Sequence, residues 1–399
     1  MIKVAHVATV DLSLRFLLLN QLESLRDAGY SITGLSAAGP HVGELEERGI
    51  RHIPVSLTRS MTPLTDLVAL WHLYRVMRRE RFTIVHCHTP KAELLGQLAA
   101  RLAGVPIVVD TFRGIYHRSG SSRLQRRFLV AMARLAASCA DLVLCQSREA
   151  MDEMIQTRFC APGRLALLGN GIDVREFDRS RLHPFQLNVL RKELGLNTRR
   201  PVVGFVGRLV REKGIVDLFR AMNLVRAIVP DAQLLVVGPN DPDKPDAVTP
   251  DMARAFGIEE GCVFTGLRTD MPMLYALMDV FALPSHREGF PRAPMEASSM
   301  GVPCVVTNIP GCREVVEHGQ NGLLVPAGES VALADAITSL LTNRELAKHM
   351  GQAGRQKALD HFDEERVFSI VNAAYGRMLA DKGIAVSRWN VPVAQATES

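Results

Sequence analysis

Two cations and two carboxylates, each beside glycine, are the residues of this chain best suited by type and spacing to chemistry. The cations are Arg208 and Lys213, in the run Gly207-Arg208-Leu209-Val210-Arg211-Glu212-Lys213-Gly214. Arginine offers a planar fork of donors, lysine a point charge, and glycine a backbone that turns tightly. A diphosphate suits that set; a solvated basic turn is the bland reading of the same residues. The carboxylates, Glu288 and Glu296, lie in Pro284-Ser285-His286-Arg287-Glu288-Gly289-Phe290-Pro291-Arg292-Ala293-Pro294-Met295-Glu296-Ala297. Ionised carboxylates only accept hydrogen bonds, so they suit hydroxyl-rich partners such as a sugar or a ribose. Glu296 alone is explained by an acid favoured in a first helical turn, here a helix opened by Pro294. The Gly-Phe-Pro loop beside Glu288 is not. Thr307-Asn308-Ile309-Pro310-Gly311-Cys312-Arg313-Glu314 is another glycine turn opening a helix, either a further anion position or an ordinary strand–helix turn.

These residues must be held at the ends of strands. Short apolar runs alternate with helical patterns throughout: strands at 2–8, 31–36, 50–55, 83–87, 106–110 and 141–145, and again at 201–206, 233–237, 262–264, 280–283, 304–306 and 323–325. Helices fall between them, for example at 14–27, 65–79, 92–103 and 124–138. Continuous apolar strands separated by helices predict parallel sheets covered on both faces. The fold class is α/β, with two Rossmann-like, doubly wound domains in series. In such sheets ligands lie beyond the carboxyl ends of the strands, where the motifs above fall. The first domain is expected over 1–185 and the second over 196–362, with a polar, arginine-rich connection. A helix follows at 363–381, then a disordered tail at 386–399.

Composition narrows the function. The 399 residues are 47% hydrophobic and 22% charged, as in a globular chain of about two domains. No apolar run approaches the roughly 20 residues of a membrane helix. The N-terminal apolar run is broken by Asp11 and Arg15 and does not read as a signal peptide, so the expected location is cytoplasmic. The seven cysteines are scattered and contain no C-x-x-C pair, against both disulfides and a zinc site. The net charge is +5, with the excess in the first half of the chain. Aromatics are only 6% and do not interleave with basic stretches, against nucleic acid as a partner. Neither a G-x-x-x-x-G-K-[ST] loop nor a G-x-G-x-x-G after the first strand is present, against an ATPase and a nicotinamide dehydrogenase.

The ordered set Gly207-Arg208…Lys213-Gly214, Val237-Gly238, Thr265-Gly266, Pro284-Ser285…Glu288-Gly289-Phe290…Glu296-Ala297 and Thr307…Pro310-Gly311…Glu314 resembles the family-4 retaining glycosyltransferases of GT-B type. Glu288 and Glu296 stand as that family's E-x7-E element. Thr9-Val10-Asp11-Leu12, His86…His88-Thr89-Pro90-Lys91-Ala92, Leu102-Ala103-Gly104-Val105-Pro106 and Leu168-Gly169-Asn170-Gly171-Ile172-Asp173 are similar to the branch that builds lipid-linked bacterial surface glycans. The resemblance covers roughly residues 1–380. It implies two domains facing across a cleft, with the helix at 363–381 packing back on the first. It implies catalytic and phosphate-binding roles for Arg208 and Lys213, with Glu288 and the amides of Gly289 and Phe290 on the donor sugar. Glu296 would hold the ribose, Gly266 and Leu267 would read the base, and Gly207, Gly238 and Gly311 would complete the donor loops. Asp11, His88, Lys91 and Asn170 would lie on the acceptor side.

The implied activity is metal-independent transfer of a hexose or N-acetylhexosamine from a nucleotide sugar, by default UDP-linked, to a lipid-linked or polysaccharide acceptor. No other cofactor is implied. His86 and His88 are weak as metal ligands, with no third ligand in register, and Asp241-Pro242-Asp243 reads as a loop distant from the phosphate motifs. The chain departs from the family at Asp110-Thr111-Phe112-Arg113-Gly114, where Arg113 stands in place of the usual His. An arginine cannot act as a base, so Arg113 takes an electrostatic role or a neighbour such as His88 or His117 fills the space. A basic amphipathic stretch, 117–134, suits either contact with an anionic membrane on the cytoplasmic face or a solvated helix surface. A nucleotide-sugar epimerase and a non-catalytic nucleotide-sugar-binding subunit are the alternatives.

Overall fold

The computed structural model describes residues 1–58, 62–113, 123–241 and 244–385. The chain divides into two compact units, Met1–Gly169 with the chain from Val367 onward, and Asn170–Arg366.

The first unit is built on a parallel sheet of β1 (Lys3–Val10), β2 (Ser31–Ala37), β3 (Arg51–Pro54), β4 (Ile84–Cys87), β5 (Ile107–Phe112), β6 (Leu142–Cys145) and β7 (Leu165–Leu167), in the order β3-β2-β1-β4-β5-β6-β7. Its order reverses between β1 and β4. Its helices of at least two turns are α1 (Leu19–Asp27), α2 (Pro63–Glu80), α3 (Pro90–Ala103), α4 (Arg123–Cys139) and α5 (Arg148–Gln156). Alternation along β1 sends Ala5 and Val7 into one core with Leu73 and Val76 of α2 and Leu95 and Ala99 of α3. It sends Val4 and Ala8 to the opposite core. Proline opens α2 and α3 at Pro63 and Pro90, and Gly104 ends α3 in the left-handed region.

The second unit contains α6 (Pro184–Glu193), α7 (Ile215–Ile228), α8 (Arg292–Ser299), α9 (Ser330–Thr342) and α10 (Arg344–His361). Its parallel sheet has β8 (Val202–Val206), β9 (Gln233–Val237), β10 (Cys262–Phe264), β11 (Val280–Leu283), β12 (Cys304–Thr307) and β13 (Gly322–Val325) in the order β10-β9-β8-β11-β12-β13, reversing between β8 and β11. The boundary falls earlier than the polar stretch implied. Ile172, Val174, Phe177, Leu190 and Leu196 are buried in the core of the second unit. The arginine-rich segment is therefore a surface of that unit, with α6 inside it, rather than a connection. The edge strand β7 is half-buried and only three residues long, too short for an apolar run to announce it.

The final helix, α11 (Glu364–Asp381), begins in the second unit and belongs to the first from Val367. Val371, Tyr375 and Leu379 join the core that holds Val4 and Ala8. The Tyr375 hydroxyl lies 2.7 Å from His86 Nδ1, and His86 Nε2 lies 2.7 Å from the Thr111 hydroxyl. The expected tail at 386–399 lies outside the described residues. No helix among the described residues is long and apolar enough to cross a membrane.

Two outcomes follow for the first unit. Replacing Tyr375 with Phe leaves a buried imidazole nitrogen unpaired and is expected to destabilise this unit by about 1–3 kcal/mol in urea denaturation. An unchanged midpoint would show that the hydrogen bond contributes nothing. Asp110 on β5 is 3% exposed and its Oδ1 meets no partner among the described residues. Burial pushes its carboxyl up to about 7, the Gln97 amide acting the other way. The folded value lies above the unfolded one, so ionising Asp110 inside the fold costs stability. That cost is absent below about pH 4 and grows as pH rises to 7. Asp110→Asn is expected to raise Tm relative to the wild type at pH 8 but not at pH 4; a pH-independent difference would clear the carboxylate of this role.

Candidate active site

In the second unit the two loops that flank the sheet's reversal point, after β8 and after β11, bring one of the cations, Lys213, and one of the carboxylates, Glu288, together. Lys213 Nζ lies 2.6 Å from Glu288 Oε1, and the same oxygen accepts a 2.7 Å hydrogen bond from the Ser285 hydroxyl. Their side chains are only 19% and 8% exposed, so this ion pair is shielded from water. It is reached through sequence-distant elements because β8 and β11 are neighbours in the sheet. Around it the loops are laced together. The His286 amide donates to the Glu212 carbonyl, Arg287 forks onto the Glu212 carboxylate at 2.9 and 3.0 Å, and His286 Nε2 meets Asp217 Oδ2 at 2.8 Å.

The glycines are required by close approach. Gly214 adopts φ +72°, and a Cβ there would stand 1.9 Å from the Pro284 carbonyl oxygen. Gly311 adopts φ +77°, and its Cβ would stand 2.0 Å from the Gly289 carbonyl oxygen. Gly238 is pressed in the same way against the Gly207 carbonyl. The loops after β8, β9, β11 and β12 thus touch backbone to backbone. Thr307, at the end of β12, adds a 2.5 Å hydrogen bond from its hydroxyl to the Ser285 carbonyl. Gly266 accepts from the Gly238 amide through its carbonyl, and Leu267 beside it is 59% exposed.

Arg208 is exposed and pairs with Asp241 at 3.2 Å. This corrects the reading of the Asp241 run as distant from the phosphate motifs: β8 and β9 are adjacent, so the loop after β9 returns beside the loop after β8. Pro242 and Asp243 lie outside the described residues. The helix carrying Glu296, α8, opens at Arg292 behind Pro291 and not at Pro294. Glu296 sits where α8 turns inward and accepts a 2.8 Å hydrogen bond from the buried Tyr275 hydroxyl, with Arg292 at 3.8 Å. Burial raises its carboxyl above the ordinary range, opposed by the Arg292 charge and the tyrosine hydrogen bond. Asn170 donates from its side chain to the Phe290 carbonyl at 2.8 Å, which ties it to the Glu288 loop. It lies within the second unit rather than among the residues of the first with which it was grouped.

In the first unit, the residues after β1, β4 and β5 form a separate group. Asp11 is committed to backbone, accepting from the Leu12 and His41 amides at 2.8 Å each. Lys91 is buried against Asp66 at 2.5 Å and the Thr58 hydroxyl at 2.6 Å. His88 is 1% exposed. Its Nε2 lies 2.8 Å from His6 Nδ1, and its ring packs 4.1 Å from that of His86. His6 is the third member that the strand patterns did not offer, although it stands opposite His86 in the β1–β4 register. The ligand atoms of His6, His86 and His88 fall within 4.8 Å of one another. Their hydrogen bonds tie imidazole to imidazole, tyrosine and threonine, which describes a packed network. Burial lowers His6 to about 3 and holds His86 and His88 well below the ordinary imidazole value, the Arg113 charge adding to the effect. At neutral pH all three are uncharged. Arg113 donates from Nε to the His88 carbonyl at 3.1 Å, so the arginine rests on this neutral floor. His117 lies outside the described residues, as does part of the basic stretch around it.

Comparison with known proteins agrees with the two-sheet fold. The family model described as glycosyl transferases group 1 matches residues 188–357, and the glycosyl transferase 4-like domain matches residues 17–171. The chain is 27% identical, over 96% of its length and 98% of the relative's, to the UDP-Gal:alpha-D-GlcNAc-diphosphoundecaprenol alpha-1,3-galactosyltransferase of Escherichia coli. It is also 27% identical, over 95% of its length and 98% of the relative's, to the capsular polysaccharide biosynthesis glycosyltransferase CapM of Staphylococcus aureus. In fold it is similar to Anabaena HepE solved with UDP and glucose, with a TM-score of 0.81 at 23% identity, covering 94% of this chain and 100% of that one. The two matched models divide about four fifths of the chain between them in the order its two sheets take, and the chain belongs to the GT-B glycosyltransferases of family 4.

Proposed function

We propose that this glycosyltransferase moves a hexose or N-acetylhexosamine from a UDP-sugar to a lipid-linked acceptor in cell-surface glycan synthesis. The donor would sit on the second unit and the acceptor on the first. The observation that carries the proposal is the shielded Lys213–Glu288–Ser285 cluster at the reversal point of the second sheet. Support for the donor and acceptor classes comes from the two near-full-length relatives, which are named as a UDP-galactose enzyme acting on a diphosphoundecaprenol-linked sugar and as a capsule enzyme. Those relatives are both transferases, so the epimerase and the non-catalytic subunit are not favoured.

The chemistry follows from charge. Breaking the bond between the sugar and the diphosphate builds negative charge on the leaving nucleotide. Lys213 has three donor protons, so it can keep Glu288 and still reach a phosphate oxygen. Arg208, already exposed, adds a bidentate donor. Loops locked backbone to backbone hold these groups in place before the reaction, so little reorganisation is needed when the charge appears. Two protein cations supply what a metal would otherwise supply, and the enzyme is proposed to be metal-independent. Glu288, held by Ser285 and Lys213, would accept from the hydroxyls of the donor sugar. Glu296 would accept from the ribose hydroxyls, and the Gly266–Leu267 backbone would read the base. Retention of the anomeric configuration and action at the cytoplasmic face of the membrane complete the reading. Arg113 has the role of a fixed cation near the reacting sugar or phosphate, since the histidines beneath it are neutral and buried.

Thermal denaturation with UDP, GDP, dTDP and ADP tests the donor assignment. UDP at a hundredfold excess over its dissociation constant is expected to add about 2.7 kcal/mol of stability, and Lys213→Ala is expected to abolish most of it. A shift with another nucleotide only would overturn the base, and none at all the donor site. Arg113→Ala is expected to lower kcat by about 10²–10³ while leaving the UDP shift intact. Unchanged turnover would remove Arg113 from the reaction.

A further inference from the structure

The core beneath α3 holds polar groups that neither the fold nor the transfer reaction uses. Asp110 stands opposite Cys87 in the β4–β5 register, and Cys87 belongs to the core that α3 covers. Register partners point to the same face of a sheet, so Asp110 faces α3 as well. The helix comes down close to the sheet here: a Cβ on Gly96 would stand 2.8 Å from Cys87 Sγ. Glu93 and Gln97, one turn apart on α3, are thereby brought to bear on Asp110. Gln97 is fully buried, as Asp110 nearly is. Glu93 Oε1, Asp110 Oδ1 and both amide atoms of Gln97 are shut off from solvent and meet no hydrogen-bond partner among the described residues. Such orphaned atoms are rare in protein interiors, and two ionised carboxylates in one dry place repel each other strongly. Burial holds the Glu93 carboxyl well above its ordinary range, with the Asp110 charge adding to the effect, and pushes Asp110 up to about 7.

We propose that Glu93 and Asp110 hold a single proton between them and act as a positioning pair for Arg113. The proposal rests on the reading of Arg113 as a fixed cation in the transfer reaction. Arg113 directly follows β5, three residues after Asp110, and its charge draws the Glu93 carboxyl down against the effect of burial. The other titratable groups around the pair are uncharged. Burial holds the Cys87 thiol well above its ordinary value, pushes Cys145 up to about 12 and raises Cys160. The same cause keeps His86 and His88 neutral, and Lys91, on the first turn of α3, is committed to Asp66. With one proton the pair carries one negative charge, which the one guanidinium matches. Without it two negative charges compete for that guanidinium and draw it inward, away from the reacting groups. Both carboxyls lie above their ordinary values, so the shared proton is kept at neutral pH and leaves as pH rises above about 7. That step belongs to the pair and not to either acid alone.

Infrared difference spectra of the full-length protein test the proton directly. At pH 7 the wild type is expected to show a carboxylic-acid carbonyl band that is absent from the variant carrying both Glu93→Gln and Asp110→Asn. No such difference overturns the proposal. Activity tests the positioning. Release of UDP is followed with UDP-glucose, UDP-galactose and UDP-N-acetylglucosamine, which needs no identified acceptor. With the wild type, kcat is expected to fall about tenfold between pH 7 and pH 9 as the guanidinium is drawn inward. Either Glu93→Gln or Asp110→Asn alone leaves at most one negative charge, so each is expected to abolish that fall. Arg113→Ala is expected to abolish it too, because the guanidinium is the group the pair acts through. Both acid variants are close to isosteric, and a Tm no lower than the wild type's at pH 8 certifies their folding. A purely structural role would move Tm and leave the pH profile unchanged. An alkaline fall that persists in either acid variant, or in Arg113→Ala, overturns the positioning role. No UDP release from any of the three sugars, together with no UDP shift, would instead defeat the donor reading, and the infrared band would still decide the shared proton.

Discussion

Backbone pressed against backbone at the strand ends of the second unit is the constraint on which the site depends. Gly214 against Pro284 and Gly311 against Gly289 leave no room for a side chain, and both residues hold a conformation that L side chains avoid. Four loops from four strands therefore behave as one rigid rim. Lys213 and Glu288 stand 75 residues apart in sequence, yet the rim sets their separation at 2.6 Å. An ion pair of that kind at a freely moving surface would be worth little. Held by the rim and backed by Ser285, it becomes a fixed electrostatic feature.

The two units treat charge in opposite ways. The second concentrates ionised groups at its loop ends and satisfies them with one another: Lys213 with Glu288, Arg287 with Glu212, Arg208 with Asp241. The first, beside its buried Lys91–Asp66 pair, also buries titratable groups in neutral form. Its histidine cluster is held uncharged by desolvation, and the Asp110 carboxyl is pushed toward neutrality by the same cause. Arg113 lies at the edge of that neutral region and donates to a backbone carbonyl.

Much of this was legible in the sequence, and the exceptions share a cause. The alternation of apolar strands with helices gave both sheets, because parallel strands buried on two faces leave continuous apolar runs. The loop motifs were legible as strand-end turns because glycine beside charged residues marks such loops by type. What depended on which loops become neighbours was hidden. Asp241 returns to Arg208 only because β9 lies beside β8, and His6 joins His86 only through the β1–β4 register. The unit boundary was misplaced because an arginine-rich surface resembles a connection when the five apolar residues that anchor it are spread over 25 positions.

Helix α2 shows the limit of periodicity from the other direction. A helix that packs on a sheet needs one apolar stripe, and α2 has that stripe in Ala69, Leu73, Val76 and Met77. Nothing in the fold requires a second, and in water an exposed stripe favours self-association. Sequence periodicity registers the sum of the two faces and so understates both. Only the burial of one face shows that the other is surplus to the core. A surplus apolar face that turns basic at one end, with Trp71 giving way to Arg75, Arg78 and Arg79, has a reason outside the fold.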